Sequence, residues 1–280
     1  MTDASPSEVG RFEGAADSEA TERAAQAAAP VREQVEVVGA LEADARRAIY
    51  ALLSSLADNK YLLGRRYAEW CTGAPMLESA VAAAAMAQDE LGHARSFYPL
   101  LRGFPESTEA DTAEEQGWQH RPTSAMACLD NHFYGWPDFV AANFVVDTAL
   151  TTMLSAATDS PYEPLRQRAR KILQEEEAHW VHAEGWLKRI GADEAGRPEL
   201  ETSLQAMWDD ALTWYGQADD PMVEQLTRDG VLSRGSDALR ERLCARLRPA
   251  LDAAGLGASL AGRPLPWDRW DAQARRLRPA

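Results

Sequence analysis

The sequence predicts an all-α protein built on a four-helix bundle. Three observations carry that expectation. Apolar residues recur at three- and four-residue steps over long stretches, strand-type alternation is nearly absent, and Pro and Gly divide the patterned region into two hairpins separated by a long polar connection. Two antiparallel helix pairs joined by one long crossover describe a bundle whose core can hold a site built from facing side chains.

The elements follow in chain order. Residues 1–30 are rich in Ala, Glu, Asp and Ser with few large apolar groups, and are expected to be a disordered or loosely helical tail. From about Val38, "ALEADARRAIYALLSSLADNKYLLGRRYAEW" sets Leu41, Ala45, Ala48, Leu52, Leu56, Leu63, Tyr67 and Trp70 at helical steps. Gly73 and Pro75 in "CTGAP" stop that helix. A second runs from about Met76 to Leu101 and stops at "RGFP"; residues 104–136 are polar and broken by Pro105, Gly117, Pro122 and Gly135. A third follows Pro137 to about Ala157, and after "TDSPYEP" a fourth runs from about Pro164 to Ile190. The bundle is assigned to residues 31–196. Residues 197–280 form a helical extension packed on it, with helices near 198–216, 220–229 and 236–254. The end, "GRPLPWDRWDAQARRLRPA", is expected to lie on the surface as irregular chain.

Composition bounds the function. The 280 residues are 45% hydrophobic and 26% charged, enough for one sizeable core. The formal charge of −15 would be repelled by phosphate backbones, so nucleic acid is not expected as a partner. The cysteines, Cys71, Cys128 and Cys244, form neither a zinc spacing nor a disulfide framework. With no apolar signal core and no apolar run of about 18 residues, a cytoplasmic protein without a membrane span is expected. Only Lys60, Lys171 and Lys188 are lysines; every other basic side chain apart from His is Arg, so a lysine in an unusual place stands out.

One such place adjoins a candidate metal site. "AQDELGHARSF" sets Glu90 three residues before His93, and "ILQEEEAHWVHAEGW" repeats the spacing with Glu176 and His179. Residues three apart share a helix face, so each pair can address one ion. Fewer than about one such pair is expected by chance at this composition. Glu90 lies fifteen positions after Pro75, and Glu176 lies fifteen after Pro161. At 1.5 Å per residue both are about 22 Å from their turns. Fifteen before Pro75 is Lys60, and fourteen before Pro161 is Asp147, an acid within the otherwise apolar "NFVVDTAL". Glu90, His93, Asp147, Glu176 and His179 can therefore converge at one level as metal ligands. This is the ferritin-like di-iron pattern of one acid from each of two helices plus Glu-x-x-His from each of the other two. Mixed carboxylate and imidazole donors suit iron or manganese. Asp89 and Glu175 can accept the outer imidazole N–H of the opposite histidine; a solvated helix face is the competing reading of both.

"LADNKYLLGRRYAEWCTGAPMLESAVAAAAMAQDELGHARSF" resembles the first hairpin of bacterial phenylacetyl-CoA epoxidase large subunits. "EEEAHWVHAEGWLKRIG" resembles their second histidine motif, and "LQAMWDDALTWYG", "LTRDGVL" and "LRPALDAAGL" are similar to the C-terminal part of the beta-type subunit. The resemblance spans about residues 40–256. It implies either a catalytic subunit, whose two irons and dioxygen oxidise an aromatic or acyl-CoA substrate with electrons from a reductase, or a beta-type subunit that supports a homologous large subunit. A ferritin-like di-iron oxidase without CoA substrates is a third reading. A homo- or hetero-oligomer is implied. The wording around "EWC…AP.LE" is beta-type, whereas the two Glu-x-x-His pairs are those the beta-type usually loses.

Lys60 stands where the catalytic subunits of that family carry a Glu, and it is the candidate catalytic residue. Three readings are open. Its ammonium replaces a metal ion as counter-charge, or a neutral lysine or a water completes an asymmetric site, or a helix irregularity turns Asp58 or Asn59 inward instead. Other residues carry ordinary readings. His182 is read as a surface or satisfied histidine, with a substrate-side polar group alongside Glu184 the alternative, while Trp70, Trp180 and Trp186 are read as packing. Arg65, Arg66 and Arg95 are read as ordinary surface pairs, with coenzyme A phosphates the alternative; "CLDNHFYGW", with His132, is read as packing or a subunit contact, with a cover over the site entrance the alternative, and His120 lies in the same connection.

Overall fold

The computed structural model describes residues 38–108, 111, 123–260 and 262–279. The expected tail at 1–30 and His120 lie outside those residues. The described chain is helical apart from one two-stranded pairing near its C-terminus.

Helix α1 spans Ala43–Ala68 and α2 spans Leu77–Leu101, and they pack as the first hairpin. The third bundle helix is built in three pieces: α3 (Trp136–Ala141), a π-helical segment (Ala142–Asp147) and α4 (Thr148–Ser155). The fourth is α5 (Glu163–Glu175) followed by α6 (Glu177–Gly191), with Glu176 at the junction. The predicted helices appear, as do the predicted breaks among the described residues, with Gly117 and Pro122 lying outside them; the two interruptions do not follow from Pro or Gly. They fall on Asp147 and Glu176, two of the candidate ligands, where a change of helical winding re-aims a side chain.

The helices α7 (Arg197–Thr213), α8 (Pro221–Arg228), α9 (Ser236–Ala253) and α10 (Gly257–Leu260) follow. α7 lies against α3 and the π segment, α8 against α1, and α9 against α4 and α6. The amphipathic pattern of α7 buries Leu200, Leu204, Met207 and Ala211, spaced at helical steps, into the common core. No helix among the described residues is long and apolar enough to cross a membrane.

Two expectations are corrected. The C-terminal segment lies largely at the surface but is not wholly irregular: Trp270–Asp271 and Arg276–Leu277 (β1 and β2) pair antiparallel. Between them Arg275 adopts φ +55° and buries its guanidinium on Asp220, at 3.0 and 3.1 Å, and on the Trp214 carbonyl at 3.2 Å. A buried cation needs such partners, and they fix the hairpin. Arg66 is not a surface residue either. It is buried and donates to the carbonyls of Leu129 and Asp130 at 2.9 and 3.1 Å, tying the long connection to α1. Arg65 lies over the Tyr61 ring, 5.8 Å from its centroid.

Candidate metal centre

Three consecutive polar residues of α1, Asp58, Asn59 and Lys60, are buried. Asp58 accepts from the Tyr98 hydroxyl (2.9 Å) and the Ser124 N–H (2.7 Å). Asn59 donates to the Ser55 carbonyl (2.8 Å) and accepts from the Met126 N–H (3.0 Å). These two side chains pin α2 and the long connection to α1. Lys60 alone turns into the bundle, which resolves the register question left by the sequence.

The Lys60 ammonium has three N–H donors and meets three carboxylates: Glu90 at 2.8 Å, Asp147 at 3.1 Å and Glu176 at 2.5 Å. Lys60 and Glu90 are both 0% exposed. An unpaired charge at this depth would cost several kcal/mol; here each is paired. Burial opposes the ammonium, but the attraction of Asp147, Glu176 and Glu90 outweighs it and raises its pKa well above the usual lysine value. Burial likewise pushes Glu90 and Glu176 upward against the pull of Lys60. Asp147 moves the other way: its burial is outweighed by Lys60 and His179, and it stays ionised.

The histidines flank this core. His179 Nδ1 donates to Asp147 Oδ2 at 2.9 Å and lies 3.1 Å from Glu176 Oε2 and 3.6 Å from Glu90 Oε1. Burial disfavours its charge, but Asp147 and Glu176 push its pKa up to about 11. His93 Nδ1 faces the acids at 3.5 Å (Glu176 Oε1) and 4.0 Å (Glu90 Oε1). Burial and the Lys60 charge hold His93 down to about 3. A neutral ring that donates from Nε2 to Glu175, at 2.9 Å, leaves its Nδ1 lone pair turned inward. His179 Nε2 reaches Asp89 at 3.3 Å. Asp89 and Glu175 therefore hold the outer imidazole nitrogens of the opposite helix, as their positions suggested.

The site is assembled from all four bundle helices. Oxygens or nitrogens of Glu90, Asp147, Glu176 and His179 lie within 4.8 Å of one another, and His93 Nδ1 stands beside them, 3.5 Å from Glu176 Oε1. Gly64 brings α1 and α2 together here: a Cβ at Gly64 would lie 2.9 Å from Leu91 Cγ, 3.0 Å from Leu91 N and 3.0 Å from Glu90 Cβ. Gly64→Ala is therefore expected to force the first hairpin apart beside Glu90. It should lower unfolding free energy by about 1–3 kcal/mol, read as a fall in the urea midpoint at constant slope.

Sequence reasoning missed Asn143. It lies one turn before Asp147, donates to Asp147 Oδ2 at 3.4 Å and meets His182 Nδ1 at 3.0 Å. Its position four residues before a buried acid was the available signal. His182 is thus satisfied at Nδ1 only, its Nε2 being buried without a hydrogen-bond partner, and burial holds it down to about 4. Trp70 and Trp186 pack on Trp136, and Trp180 stacks on Phe144. His132 is exposed and pairs with Glu69 at 2.8 Å.

A small cleft of about 60 Å³ reaches Asp147, Glu176 and His179 from beside α9. Trp180 and Arg246 line it, the guanidinium 4.0 Å from the indole centroid. A larger cleft of about 720 Å³ lies between α7, α9 and α10, over Trp208, Leu212, Cys244 and Leu251, and shares no residue with the cluster.

Comparison with known proteins agrees with this architecture. Residues 33–263 match the family model described as phenylacetic acid catabolic protein. The chain is 28% identical over 159 residues to one of the subunits of the 1,2-phenylacetyl-CoA epoxidase of Escherichia coli strain K12. That match covers 55% of this chain and 62% of the relative, so the chain spans less than two thirds of the relative's length.

Proposed function

The chain belongs to the phenylacetic acid catabolic protein family, and we propose that it is a supporting, beta-type subunit of a multicomponent di-iron oxygenase acting on an aromatic or acyl-CoA substrate. The observation that carries this reading is the Lys60 ammonium, which sits among Glu90, Asp147 and Glu176 within 3.1 Å of an oxygen of each. As the chain stands, the donors do not fit a di-iron centre. The first bundle helix offers a cation instead of an acid, and a protonated amine has no lone pair for a metal. Two metal ions beside it would be repelled through a low-dielectric interior.

Lys60 instead supplies the counter-charge that the three acids need. In this reading the four-helix bundle is kept while its centre is closed by its own side chain. The metal-loaded role belongs in this reading to a homologous large subunit, with a reductase delivering electrons to that partner; the E. coli relative is itself named as one of the subunits of an epoxidase. The catalytic-subunit and CoA-independent oxidase readings both need metal where Lys60 lies, so the same ammonium weighs against each.

Co-expression tests the reading. The chain is expected to co-elute with a metal-bearing homologue on gel filtration, with iron following the partner and the isolated chain holding under about 0.1 equivalent after growth in iron-rich medium. Near-stoichiometric iron in the isolated chain, with oxygen-dependent turnover in the partner's absence, would overturn it.

A further inference from the structure

We propose that Lys60 is the resident cation of an otherwise complete cage, and that Glu90, His93, Asp147, Glu176 and His179 take up a divalent transition metal once that ammonium is removed. The inference rests on the supporting-subunit reading, because it takes the chain as it stands to be metal-free. It goes further in stating that the ligand geometry has been kept.

Three features carry it. First, both imidazoles are oriented as ligands. Nδ1 of His93 and of His179 face the acids, while Nε2 of each is held from outside by Glu175 at 2.9 Å and Asp89 at 3.3 Å. Such outer carboxylates fix the ring and its tautomer for metal binding. An interior salt bridge to Lys60 alone does not require them.

Second, Glu90 Oε2 and His93 Nδ1 are buried without a hydrogen-bond partner, and Glu176 Oε2 has only His179 Nδ1, 3.1 Å away, which it shares with Asp147. Lys60 occupies one oxygen of each acid, and the His179 Nδ1 proton is directed to Asp147. Buried polar atoms are seldom left unpaired. An acid oxygen and an imidazole nitrogen left over in one cluster, beside an acid oxygen that shares its only donor, form a set of donors for a second positive centre. The ammonium satisfies only part of the cage.

Third, the helices are irregular where the cage needs them to be. Asp147 ends the π-helical segment and Glu176 sits at the α5–α6 junction. Neither break is required by Pro or Gly, and both turn an acid toward Lys60. The mixed carboxylate–imidazole set suits Mn(II), Fe(II), Co(II) or Zn(II) rather than a soft-ligand metal.

The test is cobalt binding by the full chain and by Lys60→Glu and Lys60→Ala, with folding checked by circular dichroism and gel filtration. Lys60→Glu adds a sixth donor, and Lys60→Ala only vacates the centre. The wild type is expected to retain little Co(II) after desalting. At least one variant should retain about one equivalent or more, with a visible d–d band and a raised Tm. A variant that folds only when metal is supplied also supports the cage. Folded variants that retain no more cobalt than the wild type overturn it, as does failure of both to fold with metal present, since a competent cage is stabilised by its ion. Tight cobalt or iron in the wild type overturns the supporting-subunit reading instead. A metal-free wild type with metal-free variants sinks this inference alone.

Discussion

Replacing Lys60 with Met is expected to lower the unfolding free energy of the metal-free chain by about 3–5 kcal/mol, the range for breaking a buried ion pair from one side. Met fills similar volume, so the loss is electrostatic rather than a cavity. Three acids would be left around a neutral thioether: Glu90 and Asp147, 0% and 1% exposed, and Glu176 at 3%. His179, whose pKa stands at about 11, would remain as a counter-charge for Asp147 and Glu176 but not for all three. Adding Glu90→Gln should restore part of the loss, so the double variant should be more stable than Lys60→Met alone.

The pH dependence has a definite sign. The folded-state pKa values of Glu90 and Glu176 are raised, and removing Lys60 raises them further. A carboxyl with a raised folded pKa contributes stability below its unfolded pKa and loses it as pH rises through the folded value. Lys60→Met should therefore lie closest to the wild type in acid and fall further behind toward neutral pH. In the wild type the Lys60 pKa is also raised, so its own contribution persists through neutral pH and fades only in strong alkali. Equilibrium urea unfolding at about pH 5 and about pH 8 reads both effects.

Arg275→Met should cost a comparable amount, about 3–5 kcal/mol. Arg275 and Asp220 have side-chain exposures of 6% and 3% and are held in a two-oxygen pair. Burial lowers the arginine pKa, and Asp220 works against that shift. Asp220 also accepts from the Val223 N–H at the start of α8, so an unpaired carboxylate there unsettles the cap as well. The residue sits at φ +55°, a conformation costly for a side chain and held only by its contacts. The loss should reach the bundle: the Trp214 carbonyl accepts from Arg275, while its indole N–H donates to Ser55 on α1 at 2.7 Å. Faster limited proteolysis at residues 270–277 should accompany the fall in urea midpoint.

Much of this was readable in the sequence because it follows from helical rise and hairpin symmetry. Counting equal distances from Pro75 and Pro161 placed Lys60, Glu90, Asp147 and Glu176 at one level, and their side chains do meet. The spacing also put Asp89 and Glu175 beside the opposite histidines. What the pattern could not supply is set by tertiary contacts. The π-helical winding before Asp147 and the junction at Glu176 carry no Pro or Gly, so local propensity gives no sign of them. Asp58 and Asn59 read as candidates for the site, yet they serve Ser124 and Met126 on a connection whose path was unknown. Arg66 and Arg275 look like surface arginines until the carbonyls and carboxylate that receive them are in place.

A crystal structure of the wild-type chain grown in iron-rich medium, with anomalous data at the iron edge, tests the central claim most directly. The account predicts no anomalous peak between Glu90 and Glu176, and Lys60 Nζ within hydrogen-bonding distance of Glu90, Asp147 and Glu176. One or two strong peaks ligated by Glu90, His93, Glu176 and His179, with Lys60 swung out of the centre, would contradict it.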